Sequence, residues 1–233
     1  MTTDNPYAAI ARVFAEVRDS DAPLNARLAK LAEAVNRGSP AFAHAVDQLI
    51  DRLAAGQCGA QAPKVGEPLP PFLLPNASDG LVGLSDLVAR GPAVVSFYRG
   101  HWCPYCQLTA ATFSRLQAHI GAEHFVAITP ETATYNRGFA AEAGLSHAVL
   151  TDLDCGYALS LGLAIWINKA FADLLRGVGT DLAAYQAGAA WFLPIPATFV
   201  VNSRGVIVAR HIDPDYRRRM EVDELLAAFT SAI

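Results

Sequence analysis

The sequence predicts an α/β fold with a mixed central sheet flanked by helices, preceded by an N-terminal helical extension and interrupted by a helical insertion. Two observations carry this. From Ala93 onward short apolar runs alternate with amphipathic stretches, the order expected of parallel strands linked by helices. Near the end, two apolar runs flank the turn Asn202-Ser203-Arg204-Gly205, so the last strands form a hairpin and the sheet is mixed.

Composition sets the outer limits. The chain has 233 residues, 52% of them hydrophobic and 17% charged, with a net charge of -4. That is ample material for a core, and the mildly acidic balance gives no electrostatic case for nucleic acid or an anionic membrane. The run Arg217-Arg218-Arg219 reads as a solvated turn. The start, Met1-Thr2-Thr3-Asp4-Asn5-Pro6, lacks a basic segment followed by an apolar one, and no later run approaches about 18 uninterrupted apolar residues. A cytoplasmic location is the default expectation. In that reducing compartment, four cysteines are not expected to form a structural disulfide framework.

The first sixty or so residues read as amphipathic helices. Leu24, Leu28, Leu31 and Val35 recur at helical spacing, ending near Gly38. Ser39-Pro40 opens a second helix with Phe42, Val46, Leu49 and Leu53 on one face and Gly56 as its stop. Their apolar stripes must be buried, either against the main domain or against a second copy in a homodimer. Residues 1–62 are therefore read as the extension and 63–233 as the main domain. After a linker from Gln57 to Pro71, Phe72 to Leu74 and Leu81 to Leu84 form a hairpin around Asn76-Ala77-Ser78-Asp79-Gly80. Ser85 is expected to cap a brief helix.

The α/β alternation runs as follows: a strand from Ala93 to Phe97, a helix from Pro104 to about Ile120, and a strand from His124 to Thr129. A helix from about Thr134 to Ala143 and a strand near Ala148 to Leu150 complete it. The insertion spans about Cys155 to Gly188, with Asp152 and Asp154 placed to cap its first helix rather than to bind metal. Ala197 to Val201, Val206 to Arg210 and a helix from about Val222 close the chain.

Chemistry is concentrated in Phe97-Tyr98-Arg99-Gly100-His101-Trp102-Cys103-Pro104-Tyr105-Cys106. Two cysteines one helical turn apart, just after a strand, mark a redox site. Pro104 suits the first helical position because proline there loses only an N–H without a partner. Cys103 then caps the helix, its sulfur facing free backbone N–H groups. A helix terminus stabilises an anion by about 0.3 to 1 kcal/mol, whereas two units of pKa depression need roughly 2.7 kcal/mol. The remainder is sought in an S–H donated by Cys106 and in the charge of Arg99. A zinc site would need two further ligands, and no second closely spaced Cys or His pair exists. His101 is placed to shuttle a proton and Trp102 to shield the dithiol, while Cys58 and Cys155 are minor candidates for distant resolving thiols. Leu193-Pro194-Ile195-Pro196-Ala197-Thr198 enters the next strand, and an X-Pro bond there can be cis.

The dithiol at a helix start, the strand before it, and the proline loop ahead of a terminal hairpin and helix resemble the thioredoxin fold. More closely, the run from about Val65 to Phe229 resembles the peroxiredoxin-like branch of the alkyl hydroperoxide reductase and thiol-specific antioxidant family. Val65-Gly66-Glu67-Pro68, Phe72-Leu73-Leu74-Pro75, Phe97 to Cys106, Pro194 to Thr198 and Asp213-Pro214-Asp215-Tyr216 carry this resemblance. It implies a thiol peroxidase without metal or cofactor, in which Cys103 attacks a hydroperoxide and Cys106 resolves the sulfenic acid. A thioredoxin-like dithiol would recycle it. It also implies a cis-proline loop against the dithiol, with Pro196 as the candidate. Arg99, His101, Trp102, Pro196 and Thr198 are the substrate-positioning set. Peroxiredoxins usually carry Pro-x-x-x-Thr-x-x-Cys and steady the thiolate with a distant arginine. Here the first two positions are Ser96 and Gly100. Two alternatives remain at this level: a general thiol-disulfide oxidoreductase using the same dithiol, and a redox-sensing binding module.

Overall fold

The structure, a computed structural model, describes residues 6–78, 80–188 and 191–233. Asp79 of the expected turn and the first five residues lie outside the described set.

Three helices open the chain: α1 (Pro6–Arg18), α2 (Leu24–Gly38) and α3 (Pro40–Ala55). Leu24, Leu28 and Leu31 of α2 are buried as their spacing predicts, with Ala34 rather than Val35 as the fully covered residue of the last turn. The apolar stripes are covered within the chain. Val17, Leu24, Leu28, Leu31, Val46, Leu49 and Leu53 share one apolar cluster with Cys103, Cys106 and Phe113.

The hairpin β1 (Leu73–Pro75) and β2 (Leu81–Gly83) forms as expected, its turn held by Asn76 Oδ1, which accepts from the N–H of Ser78 and Gly80. The helix α4 (Leu84–Val88) is capped differently from the expectation. Gly83 is the cap residue and its N–H donates to Asp86 at 2.8 Å, so Ser85 lies inside the first turn.

Then follow β3 (Ala93–Phe97), α5 (Pro104–Ser114), α6 (Gln117–Ile120), β4 (Phe125–Thr129), α7 (Ala133–Ala143) and β5 (Ala148–Thr151). The helix expected to run from Pro104 to Ile120 breaks near Arg115, giving α5 and α6. The insertion contains α8 (Gly156–Ser160), β6 (Ala164–Trp166), α9 (Lys169–Gly177) and α10 (Leu182–Gln186). Next are β7 (Phe192–Pro194), β8 (Ala197–Val201), β9 (Ile207–Ile212) and α11 (Val222–Ser231). Asp152 caps α8, accepting from the N–H of Tyr157 and Ala158.

The central sheet has the order β5-β4-β3-β8-β9, parallel from β5 to β3 and antiparallel across β3-β8-β9. It is mixed, as the terminal hairpin predicts. Alternation sorts its side chains between two apolar layers. Val94, Ala127 and Val200 face the layer of α2 and α5, whereas Val95, Phe97, Ile128 and Phe199 face the layer of α4 and α8.

Pro196 corrects one expectation, because no peptide bond among the described residues is cis. The chain through Ile195 is extended: β7 pairs with β6, the N–H of Ile195 donates to Leu163 O at 2.7 Å, and β8 begins two residues later. Such a continuous pairing run is satisfied by trans geometry throughout.

Candidate active site

The site is built at the junction of β3 and α5. Tyr98 leaves the sheet with its N–H on Ile128 O at 2.9 Å, and Gly100 turns the chain at φ +137°. Cys103 takes an extended backbone at the helix cap and Pro104 opens α5, as the sequence dictates. Both cysteines are free thiols. Cys103 is 1% exposed and Cys106 0%.

Burial and neighbours push the two sulfurs apart. Burial raises the Cys103 pKa, but the hydrogen bond from Cys106 and the charges of Arg99 and Arg219 overcome it and lower it to about 6. Burial raises Cys106 well above the ordinary thiol value, and its hydrogen bond and charge interaction with Cys103 add to that. One sulfur is thus poised as a thiolate and its neighbour as a thiol.

The cations come from two places. Arg99 is 3% exposed, its guanidinium 3.8 Å from the Tyr216 ring centroid and 4.7 Å from that of Trp102, while its backbone N–H donates to Cys106 Sγ at 3.3 Å. Arg219 is 4% exposed and points Nη2 at Cys106 Sγ at 3.8 Å, with Nη1 donating to Tyr216 O and Arg218 O. This corrects the reading of residues 217–219 as a solvated turn. Only Arg218 is well exposed, pairing with Asp213, while Arg217 is held by Asp215 and Asp47. No periodicity announces Arg219, because it lies in a loop; the preceding Asp213 to Tyr216 block was the available signal.

His101 stands apart from this cluster. Its N–H and Nδ1 lie 2.7 and 2.8 Å from the carboxylate of Glu131, a fully buried residue that sequence reading missed. Its ring stacks on Tyr135 and meets Tyr185 edge-on. Burial opposes the imidazolium, yet the hydrogen bond and charge of Glu131, with Glu142 behind it, raise its pKa. Thr198 donates or accepts within the sheet, 3.1 Å from Ser96 Oγ. The register pairing Phe97 with Ala197 sets Pro196 level with Tyr98. Arg99, Trp102, Cys103 and Cys106 are therefore brought together, while His101 and Thr198 are engaged elsewhere. Cys155 belongs to the apolar layer on the other side of the sheet, and burial raises its thiol far above the ordinary value.

Glu131 explains Gly100. A Cβ at Gly100 would lie 2.5 Å from Glu131 Oε1 and 2.8 Å from Trp102 Nε1, so a threonine has no room there. Gly100→Ala is expected to destabilise the chain by about 3 kcal/mol, from a conformation reserved for glycine and the displaced buried carboxylate. In a thermal scan this is a drop of roughly 6 to 12 °C, and an unchanged midpoint would contradict the packing described.

Comparison with known proteins places these features. The sequence pattern of the AhpC/TSA family matches residues 65–210. Among solved structures, the peroxidoxin BcpB of Mycobacterium tuberculosis superposes with a TM-score of 0.56 at 19% identity, covering 73% of this chain and 98% of that one. PrxQ of Xylella fastidiosa gives 0.53 at 12% identity, covering 72% and 94%. An uncharacterized conserved protein of Geobacillus kaustophilus gives 0.51 at 18%, covering 72% and 82%. No curated protein sequence matches the chain. The fold is thus thioredoxin-like, of the kind found in peroxiredoxins.

Proposed function

Because the chain belongs to the AhpC/TSA family, we propose that it is a thiol-dependent peroxidase in which Cys103 attacks and Cys106 resolves. The Cys103 thiolate attacks the terminal oxygen of a hydroperoxide, the O–O bond breaks, and the departing oxygen takes a proton to leave as water or alcohol. Cys103 is then a sulfenic acid. The protonated Cys106 condenses with it, forming a disulfide and releasing water, and a thioredoxin-like dithiol reduces that disulfide by exchange. An antioxidant role in the cytoplasm belongs to the same proposal; among the described residues no helix is long and apolar enough to cross a membrane.

The observation that carries this reading is the placement of two buried thiols one helical turn apart, with the Arg219 guanidinium 3.8 Å from Cys106 Sγ. With its pKa at about 6, Cys103 is roughly nine-tenths thiolate at pH 7. Its 1% exposure favours a small substrate over a protein disulfide, because a hydroperoxide needs only a narrow opening. Recycling by a protein dithiol requires local opening of the first turn of α5.

Stopped-flow mixing of reduced protein with hydrogen peroxide, and separately with an insulin-type disulfide, tests the proposal. Ionisation alone gives about thirtyfold over free cysteine at pH 7, partly offset by the weaker nucleophilicity of a less basic thiolate. Adjacent positive charge adds on the order of a hundredfold where it stabilises the departing oxygen. The expected result is fast disulfide formation with peroxide and slow exchange with insulin. Oxidation no faster than that of free cysteine overturns the peroxidase; rapid insulin reduction with it selects the oxidoreductase.

A further inference from the structure

The guanidinium of Arg219 reaches the dithiol from a loop that has no regular structure of its own. Residues 217–219 lie between β9 and α11 and belong to neither. What fixes the backbone at Arg219 is a side chain distant in sequence. Asn25, in the first turn of α2, accepts from the Arg219 N–H through Oδ1 at 2.9 Å and donates through Nδ2 to Arg219 O at 2.8 Å. One amide thus satisfies both backbone groups of the residue, as a neighbouring strand would. The clamp is itself braced. Glu221 Oε1 accepts from Asn25 Nδ2 and from the Asn25 N–H, and Glu221 Oε2 accepts from the Leu24 N–H, so its carboxylate caps α2.

We propose that Asn25 is a positioning residue for the dithiol: by holding the Arg219 backbone it sets the guanidinium against Cys106 Sγ, and so makes the N-terminal helices a working part of the active site. Three features converge on it. Arg219 is 4% exposed, so a shift of its backbone cannot be absorbed by swinging the side chain through solvent. Leu24 and Leu28 beside Asn25 are buried in the same apolar cluster as Cys103 and Cys106, which makes α2 a rigid base for the clamp. Both Asn25 and Arg219 lie outside residues 65–210, so the arrangement is additional to the part of the chain that matches the family. The effect on chemistry follows from charge: a guanidinium displaced from the sulfurs no longer favours the thiolate.

The inference rests on the Cys103 thiolate of the proposed peroxidase, but its test reads the sulfur without peroxide, so the two fail separately. The ultraviolet absorbance of the thiolate, taken as the signal lost in Cys103→Ser, is titrated in the full chain. Arg219→Met is expected to raise the midpoint by about one unit, a tenfold loss in ionisation constant. Asn25→Ala should move the midpoint in the same direction, and the double variant should shift no further than Arg219→Met alone. Asn25→Asp keeps the acceptor for the Arg219 N–H but sets a carboxylate oxygen against Glu221 Oε1 and Arg219 O, so the clamp opens and the midpoint should rise in this variant as well. Leu49→Ala, in the core of α3, should lower thermal stability and leave the midpoint unchanged. A midpoint unmoved in both Asn25 variants, or moved equally by Leu49→Ala, overturns the proposal, as does an Arg219→Met titration identical to wild type.

Discussion

Cys103→Ser is expected to bring peroxide consumption down to the uncatalysed rate, whereas Cys106→Ser should retain the first attack and lose turnover. The asymmetry follows from the two environments, since a pair of titratable groups pushed apart in pKa divides the roles between them. A serine hydroxyl at 103 is not ionised by anything on hand there. The Cys106 hydrogen bond is the largest influence lowering the Cys103 pKa; a serine at 106 can still donate it, whereas Cys106→Ala cannot, so in Cys106→Ala the first attack should itself slow. If that bond is worth about one unit, the loss is about twofold at pH 7 and approaches tenfold below pH 6. Rapid-mixing kinetics with mass analysis decides it: Cys106→Ser should accumulate a single oxygen at Cys103, or products of its further oxidation. The reverse pattern, with turnover surviving in Cys103→Ser, would remove Cys103 from its proposed role.

The parts of this site that were legible in the sequence are those that local chemistry fixes. Cys103 at the cap, Pro104 at the first helical position and the buried strand behind them all lie within residues 93–104, and no distant contact is needed to place them. The apolar faces of α2 and α3 were legible for the same reason, because helical spacing marks a face whatever it packs against. Arg219 was hidden because its meaning depends on Asn25, 194 residues away, and three consecutive arginines look alike until each finds its partner. Glu131 was hidden because a buried carboxylate beside a loop histidine leaves no periodic trace; Gly100 was its sequence signal, read only as a departure from the family pattern. The strands β6 and β7 were missed because three residues each are too few to show alternation, and their pairing spans the whole of α9 and α10. Pro196 shows the opposite error, where resemblance suggested a cis bond that the pairing of the flanking chain does not use.

Arg99→Met is the second large effect expected, and it separates charge from burial. With the cation gone, Cys103 keeps the desolvation that raises its pKa and loses one of the two guanidinium charges opposing it. Removing one partner of a buried charged pair costs about 3 kcal/mol or more, equivalent to roughly two pKa units at 1.36 kcal/mol each. The midpoint of the pH–rate profile for peroxide should therefore move from about 6 in wild type to about 8. At pH 7 the thiolate falls from roughly nine-tenths to a tenth, a tenfold slower attack, while above pH 9 the two proteins converge on this count. Stability must follow with a definite sign. A thiol whose pKa is depressed on folding adds stability above its unfolded value, near 8.5, and loses that contribution as pH falls through about 6. Reduced wild type should gain thermal stability relative to Cys103→Ser as pH rises from 6 to 8, and in Arg99→Met that gain should largely disappear. Arg99→Lys keeps the charge but not the planar group lying against Tyr216 and Trp102, so it should recover part of the pH shift and little of the packing. A midpoint that stays near 6 in Arg99→Met would mean that Cys106 and Arg219 suffice to hold the thiolate.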